Sequence, residues 1–415
     1  MAPKKVMKKF KILIGVSALI IGLSSCATAN TVVQSDIKDD QLYLEKMYQL
    51  ELNDASVSAA SFISNAAMIS GIDLDGEADV IVALVKASAF TELAMTYSDE
   101  KAQARLDFYG VKNVGSFDSK NVACALDAHL IDVQLLNALT SNSAIAGDVA
   151  ATLLMNIAQV HGVARNYIGN VSDSDILNQI ATAYNSYYIY SDNNLDVVGK
   201  ELVKSKASTG YNLKKDGMNS NFISSLTIKY GHSDEKHLKQ LVALLNSEGI
   251  DAKLQIEPKV SIYQYLLEWG PIPEPSYSYF VEQYSDDLYL ANALEYDALL
   301  EFDNEADLLD FNRIIEQYSK KNSVNQADDS DVKLISGAWW QPLYSTTELY
   351  DEAAYQVIYD SVATQNGYSI HPFTLKENKE ELSSTMRTYT QAPVVLNKMF
   401  VNNAFYRYLS GEGWE

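Results

Sequence analysis

The sequence predicts an α+β chain: a helical N-terminal domain, a second domain of strand–helix–strand units, and a mostly helical C-terminal region. Three observations carry this. No proline lies between Pro3 and Pro258, in a stretch rich in Ala and Leu, and proline breaks helix interiors. Apolar residues recur at helical spacings as far as about residue 205. Beyond residue 222 the apolar period falls to two.

Residues 1–25 read as an export signal. Lys4, Lys5, Lys8, Lys9 and Lys11 form a basic start, and residues 12–23 are an uncharged apolar run of 12, too short to span a bilayer. The run ends in Leu23-Ser24-Ser25-Cys26, which resembles the lipobox of bacterial lipoproteins. That resemblance implies cleavage before Cys26, lipid on Cys26 and a cell-envelope location; Met7 serves equally as a start. Ala27 after the cysteine implies the outer membrane if the host is Gram-negative. Cleavage removes five lysines and no acids, leaving 27 basic against 54 acidic residues. So acidic a body excludes nucleic acid as a partner and leaves membrane attachment to the lipid. Cys124 then stands without a disulfide partner.

Residues 26–36 are small and polar, a tether. Residues 37–205 form the helical domain, with helices expected at about 37–52, 55–70, 76–97, 121–140, 145–168, 173–190 and 195–205. Val122, Leu126, Leu130, Val133 and Leu136 lie on one stripe and Leu153, Ile157, Val160, Ala164 and Ile168 on another. With Ser141-Asn142-Ser143 between them they read as an antiparallel hairpin. Ser172-x-x-Asp175 reads as a capping box.

Residues 206–221, with Gly210 and Gly217, read as a linker. In 222–345, Leu226, Ile228 and Tyr230 alternate with polar residues as a strand. Ser233 caps a helix with Leu238, Leu241 and Leu245 on one face, Gly249 ends it, and Ile250, Ala252, Leu254 and Ile256 alternate as a second strand. A similar unit follows about 70 positions on: Ala298, Leu300 and Phe302, then Asn304 capping a helix with Leu308, Phe311 and Ile315, then Val332, Leu334 and Ser336. Two such halves resemble the ferredoxin-like split βαβ arrangement. Residues 258–293, rich in Pro and Tyr, read as a partly helical insertion. In 346–415, Glu348 to Thr364 reads as a helix, Tyr368 to Leu375 as a strand, and Pro393 opens a last helix to about Leu409.

Motifs of common enzymes are absent: no G-x-S-x-G, H-E-x-x-H, C-x-x-C or phosphate-binding glycine loop. Two S-x-x-K tetrapeptides, at Ser35 and Ser233, have no K-T-G companion. Reflection of the helical hairpin places Cys124 opposite His161, a pairing able to activate a thiolate; a small buried cysteine beside a helix-face histidine is the simpler account. His232 and His237 are five apart, wrong for two ligands on one helix face. Asp73, Asp75, Glu77 and Asp79 lack the glycine spacing of a calcium loop and suit a helix N-terminus instead. No metal, cofactor or catalytic residue is therefore assigned.

Tyrosine is the remaining signal: 27 residues, about twice ordinary usage. Its ring stacks and its hydroxyl bonds, which suits glycans and protein interfaces, though aromatics also fill cores. The expected ligand-binding face is Trp269, Tyr277, Tyr279, Trp339 and Trp340. The function expected is a lipid-anchored, non-catalytic binding or assembly module for a protein or glycan partner. The alternative is an envelope hydrolase acting on peptidoglycan or polysaccharide, with acids drawn from Asp297, Glu301 and Glu268.

Overall fold

A computed structural model of the chain describes residues 39–52, 56–139, 144–186, 192–232, 235–318 and 343–410. The N-terminal part is helical: α1 (39–48), α2 (Ala59–Ser70), α3 (Val80–Ala87), α4 (Thr91–Met95), α5 (Asp99–Phe108), α6 (Ser119–Asp127), α7 (Val133–Ala138) and α8 (Gly147–Val160). Ser58, Asp79, Ser98, Asp118 and Asp132 each accept a backbone N–H at a helix start, satisfying donors that have no intrahelical partner. Phe62, Leu84, Leu126 and Leu153 belong to one core that runs from Tyr43 to Ala164 and takes in Ile223.

The helices are shorter than their stripes suggested. The chain turns left-handed at His129 (φ 56°), and Asp132 recaps it, so the stripe expected over 121–140 is split into α6 and α7. Gly162 (φ 67°) follows the end of α8, well before residue 168. Asp175 precedes α9 (Ile176–Asn185) without a side-chain cap bond, and Ser172 bonds Asp251 instead.

The second part is a closed antiparallel β-barrel of eight strands. They are β1 (Gly210–Lys215), β2 (Thr227–His232), β3 (Ala252–Tyr265), β4 (Leu288–Phe302), β5 (Tyr344–Thr346), β6 (Tyr355–Gln365), β7 (Tyr368–His371) and β8 (Val394–Asn402). The order around the barrel is β3-β1-β7-β6-β8-β5-β2-β4, and β4 pairs back onto β3 along 14 residue pairs from Ala252↔Phe302 to Tyr265↔Tyr289. Short strands Gly169–Asn170, Tyr279–Ser285 and Phe373–Leu375 pair onto β3, β4 and β6.

Helices wrap the outside. α11 (Glu235–Glu248) and α12 (Glu305–Tyr318) lay Leu238, Leu241, Phe311 and Ile315 on Ile228, Leu254, Ile256 and Leu300. α10 (Asn193–Lys204) and α13 (Lys379–Tyr389) lay Val198, Leu202, Leu382 and Met386 on Leu213, Val260, Ile262 and Ile370. Each such buried aliphatic side chain contributes roughly 1.5–3 kcal/mol. The helix-covered outer face is therefore apolar, and the alternate residues of each strand fall inside the barrel.

Closure overturns the ferredoxin-like split βαβ expectation. The strand–helix–strand succession around α11 exists, and α12 follows β4, but these elements feed a closed barrel rather than an open sheet covered on one face. Three segments supply the strands that close it. The expected linker carries β1. The expected insertion, 258–293, continues β3, adds Tyr279–Ser285 and starts β4. The helix expected over 348–364 is β6, where Tyr355, Val357, Ile358, Tyr359 and Val362 favour a strand by their β-branched and aromatic side chains. β8 likewise replaces the start of the last expected helix, of which α14 (Asn403–Ser410) remains. Val332, Leu334 and Ser336 lie outside the described residues.

Candidate ligand cavity in the barrel interior

The polar face of each barrel strand points inward. On β3 these residues are Lys253, Gln255, Glu257, Lys259 and Ser261; on β4 Glu295, Asp297 and Glu301; on β1 Asn212 and Lys214; on β2 Lys229. Register stacks them in layers: Lys214 pairs with Lys259 and Lys259 with Glu295, while Glu257 pairs with Asp297 and Asp297 with Gly231.

One end of the interior is plugged by the helical domain. Glu301, almost fully buried, accepts from Ile223 N at 2.5 Å and lies 2.8 Å from Arg165 Nε. That nitrogen has no well-aligned hydrogen bond, so the contact is an ion pair only. Arg165 Nη1 reaches Asp39 at 2.8 Å, and its guanidinium lies 4.4 Å from the centre of the Tyr43 ring. Burial pushes the Glu301 carboxyl up, and the nearby Arg165 offsets this only in part.

Asp297 sits at the centre of the next layers. Lys214 Nζ donates to Oδ2 at 2.5 Å and Lys259 Nζ to Oδ1 at 2.8 Å. Lys214 also lies 3.6 Å from Glu257, which accepts from Ser220 N at 3.0 Å. Burial alone would raise the Asp297 pKa, but Lys214, Lys259 and Lys229 outweigh it and hold the carboxyl well below its ordinary range. Burial would lower Lys214, but Asp297 and Glu257 outweigh that and hold its ammonium charged.

Lys229 differs from its neighbours. It faces the same interior, yet among the described residues it has no hydrogen bond or ion pair. The adjacent Lys214 charge, and then burial, push its pKa down. It lines a cavity of about 410 Å³ whose polar wall includes Asn212, Lys259, Ser261, Glu295, Asp297 and Ser345. Leu343, Phe373, Met399, Phe405 and Leu409 supply an apolar wall, the last two from α14. The size lies within the range of small-ligand sites, about 300–1,000 Å³.

Beside this cluster, Asp360 Oδ2 meets His371 Nδ1 at 2.7 Å, and His371 Nε2 meets Ser369 Oγ at 3.0 Å. The connectivity is that of an Asp–His–Ser relay. Ser369, however, is buried and does not line the cavity. Asp360 Oδ1 is buried without a hydrogen-bond partner among the described residues.

The sequence-derived candidates fall elsewhere. Cys26, Trp339 and Trp340 lie outside the described residues. Trp269 (57% exposed) and Tyr277 (84% exposed) lie on the excursion between β3 and Tyr279–Ser285, where Trp269 meets Tyr265 edge-on at 5.5 Å. Tyr279 is half-buried at the start of that added strand. None of the three lines the cavity. Cys124 and His161 have different partners: Cys124 Sγ lies 4.0 Å from the carbonyl of Phe90, just before α4, and His161 Nε2 donates to the carbonyl of Ala87, at the end of α3, at 2.6 Å. Burial pushes the Cys124 thiol up, away from the thiolate. Asp79 caps α3 and Asn304 caps α12 by accepting from Asp307 N. Among the described residues, no His, Cys, Asp and Glu group is arranged to hold a metal. Asp297 and Glu301 are interior residues, whereas Glu268 lies on the excursion. Lys229, Glu295 and Lys214 did not stand out in the sequence. The signal available was charge of both signs on the polar faces of neighbouring strands.

No protein-family model, curated protein or solved structure matches the chain.

Proposed function

We propose that this chain is a lipid-anchored envelope protein that binds a small solute in its barrel. The observation that carries the reading is a cavity whose lysine at position 229 lacks, among the described residues, the side-chain partner that its neighbours Lys214 and Lys259 have. A partly buried charged group is best satisfied when something in the cavity pairs with it. The lipobox-like Leu23-Ser24-Ser25-Cys26 supports the anchor. Among the described residues no helix is long and apolar enough to cross a membrane. The exposed Trp269 and Tyr277 support a separate contact face for a protein or glycan partner, to which Tyr279, Trp339 and Trp340 also belong in this proposal.

Binding is favoured over hydrolysis by the state of the acids. A glycosidase needs one carboxyl held protonated near neutral pH and a second held ionised. Of the two carboxylates on the cavity wall, Asp297 is locked in the ionised form by two lysines. Glu301, whose pKa is raised, stands in the plugged layer behind.

Native mass spectrometry of the full chain, purified from its host and gently desolvated, tests the cavity. A retained small molecule that is lost from a variant with Ser345→Phe, folded by circular dichroism, supports the reading. No retained mass, and no thermal shift against an envelope small-molecule extract, would sink it. Labelled palmitate incorporation that vanishes in Cys26→Ser tests the anchor independently.

A further inference from the structure

We infer that the occupant of the cavity is an organic monoanion with an apolar tail, its one anionic group paired with Lys229; this rests on reading the cavity as a ligand site. The charge follows from what each interior lysine already has. Lys214 and Lys259 share Asp297, and Lys214 leans on Glu257 as well. Lys229 is the cavity-lining cation left over among the described residues. Lys229 is partly buried, and an ammonium in that setting is satisfied by water or by an anion; an anion in the open space beside it also balances its charge.

A second negative charge is disfavoured by the same wall. Glu295 and Asp297 line the cavity, and Asp360 is close enough to Lys229 to influence its charge. Among the described residues Glu295 Oε2 accepts from the Ser261 hydroxyl at 2.7 Å and has no ion pair, so two carboxyl groups, Glu295 and Asp297, face a dianion from the cavity wall. A phosphate monoester, with nearly two charges at neutral pH, fits this wall poorly.

The tail follows from the layers. Lys229 pairs across the sheet with Ser345, and Ser345 with Val401. Met399 is one inward position further along β8, and Phe373, Phe405 and Leu409 complete the apolar part of the wall. A carboxylate held at Lys229 therefore points its carbon chain along Met399 toward α14. The cavity, about 410 Å³, has room for on the order of a dozen non-hydrogen atoms at the roughly 30 Å³ each that liquid water takes.

The test titrates four probes into the full chain at pH 7: octanoate, octan-1-ol, octylamine and inorganic phosphate. Affinity is read by calorimetry and occupancy by the ¹³C-methyl signal of Met399, assigned with Met399→Leu. The expected result is that octanoate moves the Met399 signal and binds at least tenfold tighter than the alcohol or the amine, with phosphate inert. Lys229→Met should erase the preference for octanoate over octanol while leaving octanol bound, which a mere loss of folding would not do. Octanol binding as tightly as octanoate, an amine preference, or undiminished octanoate selectivity in Lys229→Met overturns the monoanion inference while the cavity remains a ligand site. No probe moving Met399 overturns both.

Discussion

Asp297→Asn is the substitution that most directly tests whether the barrel is held by its interior charges. The side chain keeps its volume and loses its charge. In the native protein Asp297 accepts from Lys214 at 2.5 Å and Lys259 at 2.8 Å, with all three groups largely enclosed. Charge-assisted bonds contribute about 1.5–3 kcal/mol each, and removing one partner from a buried ion pair costs about 3–5 kcal/mol because the other charge is stranded. Asparagine still offers one carbonyl oxygen to one lysine, so the expected loss is about 3 kcal/mol. The assay is urea unfolding followed by near-ultraviolet circular dichroism. It also carries a pH signature. The folded-state pKa of Asp297 lies well below its unfolded value, so its contribution is complete above about pH 4, near the ordinary aspartate pKa, and is lost as the pH falls through the folded value. The gap between wild type and variant should be flat from about pH 5 to 8 and should close on acidification. A loss under about 1 kcal/mol, or a gap that does not change with acid, would refute the reasoning, since the lysines would then not depend on this carboxylate.

Lys229→Met should act in the opposite direction. Among the described residues the Lys229 side chain has no partner, and its pKa is depressed, so a charged Lys229 costs the fold stability below its folded pKa; the ligand-free variant should be as stable as wild type or more stable at pH 7, with its advantage shrinking as pH rises toward 10 in matched urea titrations. Gly199→Ala in α10 should reverse the usual helix rule: alanine normally gains about 1 kcal/mol there, but its Cβ would come within 2.3 Å of the Tyr211 ring, which Asp196 holds by a 2.6 Å hydrogen bond. A fall in stability of about 1–3 kcal/mol is expected in thermal unfolding, and a rise would show that the ring yields. Cys124 should resist a thiol reagent in the native protein at pH 8 and react at once in urea, because burial keeps it a thiol. Trp269→Ala and Tyr277→Ala should change stability by no more than about 0.5 kcal/mol while reducing capture of a protein or glycan partner; unchanged capture would remove these two from the proposed contact face.

Local patterns in the sequence are legible in proportion to how one-sided their burial is. β2 was readable because Ile228 and Tyr230 pack under α11 and α12 while Lys229 and Gly231 do not. The cap at Asn304 and the stop at Gly249 were readable because each is fixed by its own few residues. β6 was not. Tyr355, Val357 and Ala363 pack outward under helices, and Ile358 and Asp360 are equally buried on the inner face, so no alternation survives to distinguish strand from helix. The barrel's closure is still less local: Leu213 finds Val260, and Ser345 finds Val401, by pairings that no short window contains.

That missing closure also explains why the barrel cavity is not legible in the sequence. Period-two alternation says that Lys229, Lys259 and Asp297 share the polar face of their strands; it does not say what that face meets. On an open sheet with helices on one side, the polar face meets water, and its charges are ordinary surface residues. Close the same sheet with the helices outside and the polar face becomes the interior, where each charge must be paired or must wait for a partner. Exposed aromatics such as Trp269 and Tyr277 drew attention because their side chains are unusual anywhere on a surface. Lysine and aspartate are common, and only enclosure makes them informative. The identity of the site therefore depends on topology more than on residue type. A barrel with a polar interior and an apolar, helix-clad exterior cannot fill its centre with side-chain hydrocarbon, so it must neutralise that centre with internal ion pairs or leave room for a solute. This chain does both: Asp297 and Glu257 balance Lys214 and Lys259, and the space beside Lys229 is open.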